Sequence, residues 1–186
     1  MTPEVYKNLS ENTERKFDGE TEIGAVAFIS AAEIMKAIIE FSQTLDEFKK
    51  CIVYGAEMPD TFDLGKSIPS EMYQATVTLR AIEMETMHAV MGLITEVGEV
   101  ADLLLTNIAV NDGDPDKLDI ANLAEELGDI KWYEAILLRL YDLDDGKIRE
   151  TNIKKLQARF PEKFDSHKAL NRDLETERAI LEEGVR

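Results

Sequence analysis

Two acidic stretches decide the fold: Ile94-Thr95-Glu96-Val97-Gly98-Glu99-Val100-Ala101-Asp102, and about thirty residues later Ala124-Glu125-Glu126-Leu127-Gly128-Asp129-Ile130. The first contains Glu-x-x-Glu and the second Glu-x-x-Asp. A spacing of i, i+3 puts both acids of a pair on one face of a helix. Leu93, Val97, Val100 and Leu103 flank the first pair, and Leu123, Leu127, Ile130 and Leu137 flank the second. Apolar residues at threes and fours predict two amphipathic helices, each with an acidic pair at the margin of the face to be buried.

Antiparallel packing of these helices would gather four carboxylates. At about 5 Å each like-charged pair costs roughly 3 kcal/mol at an effective dielectric near 20. Six such pairs rival the ~5–15 kcal/mol stability of a whole domain. The acids therefore bind a cation, share protons, or stay apart. Oxygen-only donors suit Mg²⁺, Mn²⁺ or Ca²⁺. A solvated helix face is the plain alternative for either motif taken alone.

Outward from these motifs the helical period continues. Ile23, Val26, Ala27, Ile34, Ile38, Phe41, Leu45, Phe48 and Ile52 predict a long helix from Glu22 to about Tyr54, stopped at Gly55. Residues 55–69 read as a connector and Ser70 as an N-cap. A helix or helix pair follows from about Glu71 to Asn107, a turn at 111–117, and a helix from about Asp119 to Leu140 or Tyr141. Asp142–Gly146 read as a turn, with a helix from about Lys147 to Arg159 that Pro161 ends. The tail from Ser166 to Glu183 is helix-like, and residues 1–20 read as a loosely held start. No stretch alternates as a strand does, so the fold class is all-α. Gly92, Gly98 and Gly128 fall inside helices, where each costs about 1 kcal/mol relative to Ala. Close helix approach is the natural reason for keeping them.

Composition narrows the function. The 186 residues include 38 Asp+Glu against 21 Lys+Arg, a formal net charge of −17. So acidic a chain repels nucleic-acid backbones and anionic membranes, so neither is expected as a partner. A small phosphorylated ligand is compatible, because a bound divalent cation inverts the local field. One cysteine, Cys51, permits neither an internal disulfide nor a thiolate zinc site. The polar start Met1-Thr2-Pro3-Glu4 is unlike a signal peptide, and the expected compartment is the cytoplasm. Glu85-x-x-His88 resembles half of a di-iron ligand set, but no second Glu-x-x-His accompanies it.

Four stretches together resemble the MazG-like all-α nucleoside triphosphate pyrophosphohydrolases, in particular their stand-alone phage-type versions. They are His88 to Asp102; Glu125-Glu126-Leu-Gly-Asp129-Ile-Lys131-Trp132-Tyr133; Asn152-Ile-Lys-Lys155-Leu-Gln-Ala-Arg159-Phe160-Pro161-Glu-Lys-Phe164; and Asn171-Arg172-Asp173 to Glu177-Arg178. The resemblance spans about Met72 to Arg178. It divides the chain into an N-terminal extension with one long helix (1–66) and a catalytic core with a helical tail (67–186).

The resemblance implies hydrolysis of an NTP or dNTP to monophosphate and pyrophosphate. Glu96, Glu99, Glu126 and Asp129 would hold Mg²⁺, with Mn²⁺ as a substitute, and Glu96 or Glu99 would serve as general base. Lys155 and Arg159 would face the phosphates, assisted by Asn152. Gln74 and Thr78 would contact the nucleoside, with His88, Lys131 and Tyr133 as further nucleoside candidates. Trp132 and Tyr133 either stack on the base or pack the core, and His88 is either a packing residue or part of the site. Lys131 stands where the family usually has an apolar residue. The family further implies a homodimer or homotetramer and, for a phage-encoded member, the host cytoplasm. The alternative is a catalytically silent helical partner or regulator of the same fold.

Overall fold

The computed structural model of the chain describes residues 1–10, 13–14, 25–57 and 80–185. Among them every regular element is helical: α1 (Pro3–Ser10), α2 (Ala25–Tyr54), α3 (Ala81–Asn111), α4 (Ile120–Leu140), α5 (Asp145–Arg159), α6 (Ser166–Leu170) and α7 (Leu174–Val185), with a single 3₁₀ turn at Pro115–Lys117. The described residues are all-α, as expected. No described helix is long and apolar enough to cross a membrane. Gln74 and Thr78, the Ser70 cap and the first part of the predicted 71–107 helix lie outside the described residues.

The chain forms two compact units, Ile23–Leu140 and Met1–Glu22 with Tyr141–Arg186. In the first, α3 packs against α2 on one side and α4 on another. Helix α2 ends at Gly55, whose φ is +71° and whose N–H donates to the Cys51 carbonyl. Helix α3 runs to Asn111 and stops where Asp112 enters the left-handed region (φ 55°).

Two glycines set how closely the helices approach. A Cβ on Gly98 would lie 1.9 Å from the Ser42 Oγ and 2.4 Å from its Cβ. Ser42 is itself buried, its hydroxyl donating to the Ile39 carbonyl at 2.8 Å. A Cβ on Gly92 would lie 2.2 Å from the ring of Tyr133. The expectation of close approach does not extend to Gly128: no described atom lies within 4 Å of the place its Cβ would take. The expected burial of the flanking apolar residues is also corrected at two positions, since Val97 is 51% and Leu127 46% exposed. With α2 and α4 covering two sides of α3, the stripe Val90, Ile94, Val97 and Leu104 is left exposed among the described residues.

In the second unit, α5 packs against α7 and α1. Helix α5 begins at Asp145, earlier than the expected Lys147, because the Asp144 carboxylate accepts the Lys147 N–H at 2.7 Å and caps the helix. The tail expected to be helix-like from Ser166 to Glu183 is two helices. The Asp173 carboxylate accepts both the N–H and the hydroxyl of Thr176 and restarts the chain as α7. Of the expected loose start at 1–20, residues 1–10 are held: the Met1 ammonium donates to the Gly146 carbonyl at 3.2 Å, and the Asn152 amide donates to the Tyr6 hydroxyl at 2.7 Å.

The contrast between the two glycines gives a paired outcome. Gly98→Ala must push α2 away and should cost about 1–3 kcal/mol. Gly128→Ala meets open space and should raise stability by up to ~1 kcal/mol. Thermal unfolding of both variants beside the parent chain checks this; equal shifts would contradict the packing described.

Candidate metal centre on helices α3 and α4

Glu96 and Glu99 leave α3 one turn apart, and Glu126 leaves α4 towards them. One carboxylate oxygen from each lies within 4.8 Å of the others. Glu96 and Glu126 are buried and Glu99 is exposed at the edge. Glu126 is only 4% exposed. Burial, then the negative charges of Glu99 and Glu96, pushes its carboxyl up to about 7. Burial, followed by Glu96, likewise raises Glu99. A carboxyl that resists ionising in this way marks a cluster short of positive charge. The donor set is all oxygen, which matches a hard divalent cation. Asp129, one turn beyond Glu126, is exposed and stands outside this trio.

A cation of the chain's own reaches the cluster from α2. The Lys49 ammonium is buried and bonds to the Thr95 hydroxyl at 3.2 Å and the Tyr133 hydroxyl at 3.3 Å. It pairs with Asp46 at 2.9 Å and lies 3.9 Å from a Glu96 oxygen. Burial works against its charge, but the bonds to Asp46 and Tyr133 outweigh it and raise its pKa. Sequence reasoning missed Lys49 and Asp46. The available signal was the α2 stripe Ile39, Ser42, Asp46, Lys49 and Val53, whose threes-and-fours spacing puts charged residues where a core face calls for apolar ones. Beside the trio, a cleft of about 370 Å³ is lined by Ser42, Gln43, Glu99, Asp102, Thr106 and Asn122, among others.

An aromatic group adjoins Lys49. The His88 ring meets those of Tyr54, Trp132 and Tyr133 edge-on at 5.7, 6.1 and 5.6 Å. Its Nε2 lies 3.1 Å from the Tyr54 hydroxyl. Burial, helped by Lys49, holds the imidazole below its usual pKa, which favours its neutral form. Tyr133 is buried, while Trp132 and Lys131 are exposed.

In the other unit, both Oε atoms of Glu177 accept from Arg159, at 2.7 and 2.6 Å, and Arg172 adds a third bond at 2.6 Å. The two guanidinium groups hold Glu177 down to about 2. Arg159 is thus engaged by a carboxylate of its own unit. Lys155 and Asn152 are half-buried on α5.

Residues 84–164 match the family model for the MazG nucleotide pyrophosphohydrolase domain. The match takes in Glu96, Glu99, Glu126, Asp129, Asn152, Lys155 and Arg159, and leaves α2 outside. The chain is 33% identical over 72 residues to the Gene 37 protein of Mycobacterium phage L5. That alignment covers 39% of this chain and 63% of the phage protein, so the chain spans less than two thirds of that relative. No solved structure matches the chain.

Two pH dependences follow. Because Glu126 titrates near 7 in the folded chain and from 4.5 as the reference value, the folded state holds a proton that the unfolded state has lost between those pH values. Cation-free stability should therefore fall as pH rises through that window, by on the order of 2 kcal/mol. A divalent cation held by the trio would bind the ionised form, so the rise in Tm produced by Mg²⁺ or Mn²⁺ should be larger at pH 8 than at pH 5.5. Glu126→Gln should raise the cation-free Tm at pH 8 and remove most of the cation's effect; a cation effect independent of pH would contradict this assignment. Glu177 has the opposite sign. Its folded value lies below the reference of 4.5, so its contribution is complete above about pH 4.5 and fades as pH falls towards 2. Glu177→Gln should cost about 2–4 kcal/mol at pH 7 and progressively less in acid, as read from denaturant unfolding.

Proposed function

We propose that the chain, whose residues 84–164 match the MazG nucleotide pyrophosphohydrolase domain, is a MazG-like pyrophosphohydrolase that converts a nucleoside triphosphate, preferentially a dNTP, and water into the monophosphate and pyrophosphate. The observation that carries this reading is the oxygen-only trio of Glu96, Glu99 and Glu126 within 4.8 Å, inside the matched segment. Similarity to a phage protein agrees with a phage-type member.

In this reading Glu96, Glu99 and Glu126 hold Mg²⁺, or Mn²⁺ in its place, and Asp129 joins as the fourth, outer acid. When bound, the cation supplies Lewis acidity towards phosphate oxygens and lowers the pKa of water. The water oxygen bonds to the α-phosphorus, the bond to the α,β-bridging oxygen breaks, and pyrophosphate leaves with that oxygen. Glu96 or Glu99 accepts the proton of the attacking water. Lys155, Arg159 and Asn152 bind the polyphosphate and offset the charge that grows on the leaving group. His88 and Tyr133, with Gln74, Thr78 and Lys131, serve the nucleoside. The exposed apolar stripe of α3 supports a homodimer or homotetramer. The net charge of −17 speaks against nucleic acid and anionic membranes as partners, and the chain acts in the cytoplasm, that of the host if phage-encoded.

One observation favours the second reading, a catalytically silent partner of the same fold: the Glu177 carboxylate already occupies the guanidinium of Arg159. Incubating the chain with each common NTP and dNTP, Mg²⁺ or Mn²⁺, and ¹⁸O-water separates the two. The expected products are monophosphate carrying the label and unlabelled pyrophosphate. Glu126→Gln and Asp129→Asn should lower kcat by about 10²-fold or more with helix content unchanged. Label in the pyrophosphate, orthophosphate as the first product, or no turnover with any nucleotide would overturn the proposal.

A further inference from the structure

The least expected group at the carboxylate trio comes from α2, which lies outside the matched family segment. The Lys49 side chain is only 6% exposed. All three ammonium donors are used, by Asp46 Oδ1, Thr95 Oγ1 and Tyr133 Oη. A lysine so desolvated persists only where it is fully paired. Its nearest carboxylate in the trio is Glu96, 3.9 Å away. That separation is too long for a hydrogen bond, but a second route closes it. The Thr95 hydroxyl, having accepted from Lys49, turns its one proton towards Glu96 Oε1 at 3.1 Å and the Gly92 carbonyl at 2.8 Å. Glu96 is thus approached by one positive charge through space and by one hydroxyl that this charge polarises. Thr95 is among the most deeply buried side chains described, so the relay has little room to rearrange.

We propose that Lys49 is a positioning residue of the pyrophosphohydrolase site: from α2 it fixes, directly and through Thr95, the Glu96 carboxylate facing Glu99 and Glu126. Helix α2 is then part of the working site rather than an appendage to it. The proposal rests on the reading that the trio holds a divalent cation. Two effects of Lys49 on such a cation oppose each other. Its charge repels the cation, whereas its hold on Glu96 preorganises a ligand. Removing an outer partner of a metal ligand typically loosens the metal 10–100-fold, and positioning is the effect assigned here.

The test uses the full chain and Mn²⁺ alone, titrated by calorimetry and by the loss of the free-ion electron paramagnetic resonance signal. Lys49→Met should raise the Mn²⁺ dissociation constant about 10-fold or more. At saturating Mn²⁺ it should lower kcat about 10-fold, with the nucleotide KM changed by less than about twofold. Thr95→Val keeps Lys49 on Asp46 and Tyr133 but cuts the relay, and should loosen Mn²⁺ about 3–5-fold. The double variant should be no worse than Lys49→Met, because both act on one carboxylate. Far-UV circular dichroism establishes that each variant folds, and Thr95→Val decides the matter if Lys49→Met does not. Unchanged or tighter Mn²⁺ binding in the folded variant would overturn the proposal, since a mere pin between helices would lower Tm alone. A parent chain that binds no Mn²⁺ would overturn it too. A parent chain that binds Mn²⁺ but hydrolyses no nucleotide would remove the proposed activity and leave the Lys49 result to stand or fall by Mn²⁺ affinity.

Discussion

Three carboxylates brought within 4.8 Å on facing turns of α3 and α4 are the constraint on which the site depends. Mutual repulsion at that distance is of the same order as the stability of a domain. Some of it is relieved by protonation, as the rise of Glu126 to about 7 records. Some is relieved by Lys49, whose ammonium stands 3.9 Å from Glu96. The remainder is a standing attraction for a divalent cation with oxygen preference, which the proposed hydrolysis would use.

Keeping the acids together depends on helices that nearly touch. At Gly98 the absence of a Cβ lets α2 bring Ser42 against α3, and nearly two helical turns of α3 away Gly92 accepts the ring of Tyr133. The consequence is chemical as well as steric. With the Tyr133 ring laid over Gly92, its hydroxyl reaches Lys49 at 3.3 Å, so the glycine, the tyrosine and the lysine form one support beneath Glu96. The same ring stands edge-on to His88, so Lys49 and Tyr133 together link the acidic trio to the aromatic group.

The Arg159–Glu177–Arg172 cluster follows a different logic. There the carboxylate is outnumbered by guanidinium groups and its pKa falls, whereas at Glu126 carboxylates crowd one another and the pKa rises. Both glutamates are equally buried, at 4% exposure. Burial raises both; at Glu126 it is the largest cause and the neighbouring carboxylates add to it, whereas at Glu177 the two guanidinium groups outweigh it.

The all-α class, the acidic pairs and the resemblance to the MazG-like family were legible in the sequence, because each rests on local order: the 3.6-residue period, the i, i+3 spacing, and a motif contained in a few helical turns. Helix ends were legible only approximately. The early start of α5 at Asp145 and the break before α7 arise from single carboxylates, Asp144 and Asp173, turned back on their own backbone, and a side chain's choice between backbone and solvent is not written in the pattern. Which acids converge, that Asp129 stays exposed while Glu126 is buried, that Gly98 is crowded and Gly128 open, and that a lysine some fifty residues before the first motif lies beside Glu96 were all decided by tertiary structure. Each depends on which faces of distant helices meet, and a one-dimensional period fixes the faces of a helix but not their partners.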